Sequence, residues 1–232
     1  CMGPTLAAAT DSAAEATLSG MPQPEPIEDF AARVHAAQES GPEGRLPLID
    51  DGFTTWPTFP FEGDLRVREV MALADEEPRF GEDPATCWCA PGADMRPGAE
   101  LWPVVWRDEH WHIKVAPPSG APCVLILEPL EHADLSELSP QRAAEFGQIS
   151  VALSASIEAL PSVGRCHIGR WGDGGAHAHV WFIARPARMP QTRGTFMALW
   201  DDYFPPVPVA VRDANAAAAI RGLVAAYGGH AR

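Results

Sequence analysis

A pair of histidines follows a glycine-rich turn in the stretch GDGGAHAHVWFIARP, residues 172–186. Alternation of small, polar and apolar residues predicts a strand over 176–184, on which His177, His179 and Trp181 would share one face. Glycines before the strand let main-chain amides converge and let a phosphate approach closely. This combination favours attack by an imidazole on a phosphate ester, whereas two histidines on one strand face can also be purely structural.

The composition limits the classes of function. The 232 residues carry 17 Lys and Arg against 31 Asp and Glu, which gives a formal net charge of −14. A net-acidic surface repels the phosphate backbone and argues against general nucleic-acid binding. No apolar run approaches the ~18 residues of a membrane span, so no membrane partner is expected. The cysteines are odd in number and fit no small disulfide framework, which indicates a reducing, cytoplasmic location.

The remaining pattern predicts an α+β fold with antiparallel strands and one long helix. Strands are expected over 102–106, 110–115, 123–130 and 164–170, and the turn PPSG at 117–120 indicates a hairpin. The long helix is expected over 139–160, with Ser139 as N-cap and Pro140 in the first turn. Its apolar stripe at helical spacing consists of Phe146, Ile149, Leu153, Ile157 and Leu160.

Four segments divide the chain. Residues 1–25 have almost no large apolar side chains and are expected to be disordered. Residues 26–84 are expected to form an N-terminal extension that wraps the domain, with a short helix over 27–38 and a strand over 65–73. Residues 85–190 would form the core that carries the chemistry. Residues 191–232 would form a C-terminal helical extension.

The order of these motifs resembles the histidine-triad (HIT) superfamily. LEPLEHADLSELSPQRAAEFGQI precedes GRWGDGGAHAHVWFIARP, and the resemblance covers roughly residues 85–190. It implies a HIT-like antiparallel sheet with a long packed helix, often in a homodimer. The superfamily includes nucleotide hydrolases and, as a more distant branch, the galactose-1-phosphate uridylyltransferases. The resemblance therefore implies a nucleotide or a related small phosphate ester as partner.

The resemblance also implies a role for each residue near the histidine pair. His179 falls on the nucleophile of the family, which attacks the α-phosphorus of a nucleotide and forms a covalent nucleotidyl-histidine. His177 would support the catalytic site beside it. Gly174 and Gly175 would stabilise the phosphoryl oxygens, and Arg170 would add charge. Further contacts to the substrate would come from Trp171, by stacking on a nucleobase, and from Trp181.

Trp181 departs from the family pattern, because it replaces the third histidine. Its indole can donate a hydrogen bond but cannot exchange a proton near neutral pH. The uridylyltransferase branch also lacks a histidine at this position, so the sequence stays compatible with transfer chemistry. Two interpretations remain: a nucleotide phosphate hydrolase or nucleotidyl transferase, and a non-catalytic HIT-like protein that binds a nucleotide or another small ligand with a structural zinc.

Cys87 and Cys89 form the motif CWC, whose single intervening residue is unusual for a zinc site. The resemblance strengthens a metal interpretation. Some HIT-like branches hold a structural zinc with an upstream cysteine pair, a histidine at the position of His132 and the first histidine of the triad, here His177. Thiolate and imidazole ligands suit tetrahedral Zn²⁺. The alternative is a pair of reduced cysteines in a surface loop.

Two further features leave alternatives open. A second His-x-His pair, His110 and His112 in EHWHIKV, has no glycine-rich turn before it, which favours a structural role. A different metal site would combine this pair with the histidines of GDGGAHAH. Arg185 and Arg193 follow the predicted histidine strand, where they would either contact phosphate or pair with nearby carboxylates.

Overall fold

The computed structural model describes residues 23–41, 46, 61–62, 66–67, 76–194 and 197–232. The predicted disorder over 1–25 and the predicted strand over 65–73 lie largely outside these residues, as does much of the expected extension over 26–84. The short helix expected over 27–38 is present as α1 (Ile27–Glu39). Two short segments, β1 (Phe61–Glu62) and β2 (Arg66–Val67), pair antiparallel.

One antiparallel sheet carries the rest of the described strands. Its members are β3 (Val104–Arg107), β4 (Trp111–Val115), β5 (Val124–Pro129), β6 (Val163–Gly169), β7 (Val180–Pro186) and β8 (His230–Ala231), in the spatial order β6-β7-β5-β4-β3-β8. Strands β4 and β5 pair from Trp111↔Pro129 to Val115↔Leu125, and the segment with PPSG connects them as predicted. The α+β class with an antiparallel sheet is therefore confirmed.

The long helix is α2 (Pro140–Glu158), and it packs on one face of the sheet. The Ser139 hydroxyl accepts the N–H of Arg142 at 3.3 Å, so this N-cap is present as predicted. All five residues of the predicted stripe lie in or against the main core, where each buried aliphatic side chain contributes about 1.5–3 kcal/mol. The long packed helix is therefore confirmed.

The C-terminal segment places two more helices around the sheet. The first is α3 (Met197–Tyr203), and the second is α4 (Val209–Ala226), which packs beside α2 in the main core. A smaller cluster contains Met197 of α3, Val124 and Ile183, with Trp102 and Trp181 packed against it. Of the helices that the structure describes, none has both the length and the apolar character needed to cross a bilayer.

The strand predicted over 176–184 begins later than expected. Strand β7 starts at Val180, so His177 and His179 lie in the extended segment before it. The cause is hydrogen bonding: the N–H of Ala176 donates to Phe80 and that of Ala178 donates to Ala133, both at 2.9 Å, instead of to a neighbouring strand. The predicted strand start was therefore wrong.

Candidate functional site

The glycine turn is held by a segment far from it in sequence. The N–H of Phe80 donates to the carbonyl of Gly174 at 3.0 Å, and the carbonyl of Phe80 accepts the N–H of Ala176 at 2.9 Å. These two bonds lie on either side of Gly175, which pairs with Phe80 in an isolated parallel bridge. The turn and the histidine segment are therefore anchored by main-chain hydrogen bonds rather than by side chains of the turn itself.

His179 has a defined hydrogen-bonding state. Its Nδ1 lies 2.7 Å from the carbonyl oxygen of His177. Because a carbonyl can only accept, Nδ1 must carry a proton, and in the neutral ring the lone pair then resides on Nε2. An ideal Cβ at Gly175 would lie 3.2 Å from Cε1 of His179, so the glycine lets the turn lie directly against the ring. This arrangement brings together the predicted nucleophile and part of the predicted anion-binding turn.

His177 has the opposite arrangement of its ring nitrogens. Its Nε2 lies 3.0 Å from the carbonyl of Pro129 and donates to it. Its Nδ1 is buried, and no hydrogen-bond partner for it exists within the described part of the chain. Burial lowers the pKa of His177, which favours the neutral ring with a lone pair on Nδ1. A buried lone pair without a donor needs either a hydrogen bond or a cation.

His177 belongs to a cluster of four residues that each offer one ligand atom. The ligand atoms of Cys87, Cys89, His132 and His177 all lie within 4.8 Å of one another. The two Sγ atoms are 3.1 Å apart, and Sγ of Cys89 lies 3.3 Å from Nδ1 of His132. A tetrahedral zinc ion with bonds of about 2.0–2.3 Å separates its ligands by about 3.3–3.8 Å. Two thiols and two imidazoles this close together could therefore hold a metal ion.

The Cys89 thiol is protonated at neutral pH unless a cation binds. Cys87 is buried and Cys89 is half-buried. Burial and the neighbouring thiol of Cys87 raise the pKa of Cys89 to about 12, so that without a cation it stays protonated. A divalent cation reverses this preference, because a coordinating thiol is deprotonated outright. The four predicted metal ligands are thus brought together in a site that a cation would stabilise.

The guanidinium of Arg170 is held in an ion pair with a carboxylate. Its Nη2 forms an ion pair with the carboxylate of Asp134, which also accepts Nη1 of Arg79 at 2.7 Å. The Asp134 carboxylate caps the next short helix as well, by accepting the N–H of Leu135 at 2.6 Å. Although burial raises the pKa of Asp134, hydrogen bonds from Arg79, Leu135 and Arg170 bring it below its usual range. The predicted phosphate contact of Arg170 stays a prediction.

Sequence reasoning missed Arg79 and Asp134, which join the loop after β5 to the glycine turn. Nη1 of Arg79 also donates to the carbonyl of Gly172 at 3.4 Å. The sequence did contain a signal for Asp134, because Asp134 and Glu137 have the spacing of a capping box, and that box is present. Arg79 had no such signal, since its partner lies 55 residues along the chain.

Trp181 lies between two other tryptophans. Its ring makes edge-to-face contacts with Trp102, at 6.1 Å between centroids, and with Trp171, at 6.2 Å. Such pairs contribute about 0.5–1.5 kcal/mol each beyond burial, so the Trp181 ring is held in place. Trp171 is 55% exposed and also packs over Gly169. Part of its surface is therefore open to a ligand, and its predicted stacking on a base stays a prediction.

Of the second histidine pair, His112 belongs to a polar cluster around Glu128, whereas Nε2 of His110 lies 3.7 Å from Glu109. Nε2 of His112 and Nζ of Lys114 lie 2.8 and 2.7 Å from the same oxygen of Glu128. Burial raises the pKa of Glu128, but His112 and Lys114 lower it to about 2. Within the described residues, the group that could hold a metal contains neither His110 nor His112. The structural interpretation of this pair therefore fits the contacts.

No protein-family profile and no curated protein sequence matches the chain. Among solved structures, it is similar to a histidine triad protein from Marinobacter aquaeolei VT8, at 19% identity over 55% of this chain and 91% of that chain, with a TM-score of 0.43. It is also similar to a HIT-like protein involved in cell-cycle regulation from Bartonella henselae, crystallised with an unknown ligand, at 11% identity over 56% and 93% of the two chains (TM-score 0.40). A third is a hypothetical histidine triad nucleotide-binding protein from Sulfolobus tokodaii strain7, at 15% identity over 52% and 82% (TM-score 0.38).

Proposed function

We propose that this chain is a nucleotide phosphate hydrolase or nucleotidyl transferase that acts through a covalent nucleotidyl-histidine on His179. The observation that supports this most directly is the 2.7 Å hydrogen bond from Nδ1 of His179 to the carbonyl of His177. It leaves the lone pair on Nε2 and fixes the ring orientation. A neutral imidazole with a fixed lone pair is a competent nucleophile at neutral pH.

The reaction has two displacement steps. In the first, Nε2 of His179 attacks the α-phosphorus, the N–P bond forms, and the P–O bond to the leaving group breaks with its electron pair on that oxygen. The ring becomes cationic, and the carbonyl of His177 stabilises this charge by accepting the Nδ1 proton in a hydrogen bond. In the second step, water or an acceptor hydroxyl attacks phosphorus, loses its proton to solvent and returns the electron pair to Nε2.

The surroundings of His179 suit a phosphate. The guanidiniums of Arg79 and Arg170 both lie beside the turn, where Asp134 pairs with both and Glu82 pairs with Arg79 at 3.5 Å. In this proposal, the phosphoryl oxygens bind near Gly174 and Gly175, where the absence of side chains permits close approach. The remainder of the ligand contacts the exposed face of Trp171 and the held ring of Trp181.

Zinc has a structural role in this proposal. The buried lone pair of His177 and the close approach of the two thiols fit a cation, which Cys87, Cys89 and His132 would hold together with His177. When bound, zinc would supply a fixed cross-link among these four residues. The carbonyl of His177, one of the four, accepts the hydrogen bond of the nucleophile.

A second candidate function is favoured by Trp181. An indole replaces the proton-exchanging group at this position, and Trp102 and Trp171 hold its ring in place. A leaving group that needs protonation would receive no help from this side chain. In the second candidate, the chain binds a nucleotide or another small ligand on a zinc-stabilised fold without turnover.

Product analysis separates the two candidates. The purified chain is incubated with dinucleoside polyphosphates, nucleoside phosphoramidates and nucleotide sugars, and nucleoside monophosphate release is measured. We expect release by the wild type and by His110→Ala, the matched control from the other histidine pair, and none by His179→Ala. Mass spectrometry after acid-free quenching should locate the nucleotidyl adduct on His179. Tight binding without product would support the second candidate, and an adduct on another residue would overturn the assignment of His179.

A further inference from the structure

The edge of the sheet formed by β6 and β7 contains two arginines in direct opposition. Arg165 of β6 faces Arg185 of β7 as a cross-strand pair. The register shifts between Val163 and Arg165, so Gly164 is the extra residue of a bulge. Bulges redirect side chains, and like charges directly opposite each other destabilise a sheet. This pair therefore lowers stability unless another group compensates its charge.

The two guanidiniums bond to the main chain rather than to acids. Arg185 lies over Gly164, where an ideal Cβ would be 2.6 Å from its Nη2, and its Nη1 donates to the carbonyl of Pro186 at 2.9 Å. Nη1 of Arg165 donates to the carbonyl of Gly164 at 2.7 Å. Each guanidinium has five N–H donors, so both retain donors for a further acceptor.

Other arginines of the chain have acidic partners. Ion pairs with carboxylates are formed by Arg33, Arg79, Arg142, Arg170, Arg188 and Arg212. Within the described part of the chain, no ion pair with a carboxylate is formed by Arg165, Arg185 or Arg193, nor by Arg96, Arg107 or Arg221. Burial, Arg193 and Arg165 together lower the pKa of Arg185.

Two other ionisable groups face this cluster. Glu158, near the end of α2, raises the pKa of Arg185, but its carboxylate accepts the N–H of Cys166 at 3.0 Å. His167 lies two residues from Arg165 on β6, and its pKa is lowered by burial and by Arg185. One carboxylate thus stands against three guanidiniums, in a chain whose formal net charge is −14.

We infer that Arg165, Arg185 and Arg193 form an anion site that binds the phosphate or pyrophosphate group of a small ligand. Guanidinium forks match phosphate oxygens in bidentate geometry. The net-acidic surface disfavours a nucleic acid as the occupant. Arg185 lies about 16 Å along β7 from Val180, so a single phosphate cannot contact both His179 and this cluster.

Calorimetric titration tests this site with inorganic phosphate, pyrophosphate, ADP and adenosine as probes. We expect saturable, salt-sensitive binding of pyrophosphate that Arg185→Ala and Arg193→Ala each weaken about tenfold or more. Arg221→Ala, which changes an exposed arginine on α4, should bind like the wild type. Binding of ADP but not of pyrophosphate or phosphate, with adenosine inactive, would identify a terminal nucleotide phosphate as the natural group.

Thermal unfolding gives a second, independent measurement. Without phosphate, Arg165→Ala should not lower the midpoint, because it removes a repulsion, yet it should diminish the increase that pyrophosphate causes. Arg185→Lys replaces Arg185→Ala if the alanine variant fails to fold, since an ammonium lacks the bidentate fork. Equal pyrophosphate affinity in wild type and Arg185→Ala would overturn the site. So would binding that only His179→Ala abolishes, or tighter binding of a single-stranded oligonucleotide than of pyrophosphate.

Discussion

Replacing Asp134 with asparagine should remove the ion pairs that connect the loop after β5 to the glycine turn, while the side-chain size is preserved. The carboxylate is 11% exposed and accepts Arg79 at 2.7 Å together with Nη2 of Arg170. It also caps the short helix that begins at Leu135. An asparagine oxygen can still accept the Leu135 N–H, because Asn and Asp are equally good caps. The substitution therefore removes the charge and the two ion pairs but keeps the cap.

The expected loss is about 2 kcal/mol in the free energy of unfolding. A hydrogen bond to a charged group contributes about 1.5–3 kcal/mol, and removing one partner of a fully buried pair costs about 3–5 kcal/mol. The Arg79 and Arg170 side chains are 33% and 24% exposed, so water replaces part of what each guanidinium loses. This exposure places the loss well below the value for a fully buried pair.

The loss should depend on pH in a defined direction. The pKa of Asp134 in the folded state lies below its ordinary value of 3.8. The carboxylate therefore stabilises the fold fully above that ordinary value, and this contribution disappears as pH falls through the lower folded pKa. The difference between wild type and Asp134→Asn should be constant near neutrality and diminish in acid.

Urea unfolding monitored by tryptophan fluorescence, at neutral and acidic pH, measures both effects. Asp173→Asn, on an exposed residue of the glycine turn, serves as the matched control and should change stability by less than about 0.5 kcal/mol. Combining Asp134→Asn with Arg79→Gln should give a coupling energy within about 0.5–3 kcal/mol. A neutral-pH difference below about 0.5 kcal/mol, or one that persists unchanged in strong acid, would refute the reasoning.

Three other perturbations have expected outcomes. Gly175→Ala would place a Cβ 3.2 Å from Cε1 of His179, so nucleoside monophosphate release in a steady-state assay should fall about tenfold or more. Gly147→Ala in α2, whose Cβ meets nothing within 4 Å, is the control and should stay near wild type. Elemental analysis should find about one zinc per chain in the wild type and none in Cys87→Ala, and removal of the metal by a chelator should lower the thermal midpoint. Less than a tenth of an equivalent of zinc in the wild type would contradict the site. The pKa of Glu128 is lowered to about 2, so its stabilising contribution is complete above its ordinary value of 4.5 and is lost as the pH falls toward 2. In urea unfolding, Glu128→Gln should therefore lose less stability than the wild type between these two pH values.

Residues close together in sequence were enough to predict α2, but they were not enough to predict where β7 starts. Ser139 caps α2 through a bond three residues away, and the apolar stripe repeats within the helix itself, so every determinant lies in one segment. The segment from Ala176 to His179 alternates like a strand, but its main-chain partners are Phe80 and Ala133. A periodic pattern shows which residues are buried without showing which chain supplies their hydrogen bonds.

The candidate site likewise contains contacts that the sequence predicted and contacts that it did not. The resemblance to HIT-like branches implied a cluster of Cys87, Cys89, His132 and His177, and the structure brings those four ligand atoms together. The ion pairs of Asp134 with Arg79 and Arg170 could not be predicted from the sequence, because no short motif relates these residues. The arginine cluster could not be predicted either, because the pairing of β6 with β7 and the bulge at Gly164 determine that Arg165 opposes Arg185.

His177 connects the candidate metal-binding cluster with the proposed nucleophile, His179. Its Nδ1 is buried without a hydrogen-bond partner, its Nε2 donates to Pro129 at 3.0 Å, and its carbonyl accepts Nδ1 of His179 at 2.7 Å. A cation on Nδ1 would therefore fix the ring, and through the ring the peptide unit that selects the tautomer of His179. Since only the carbonyl contacts the nucleophile, any replacement at 177 retains that acceptor but loses the anchor that positions it. The separation of two residues in His-x-His follows from this geometry, because a ring can reach back to the carbonyl two positions earlier while both side chains stay on one face.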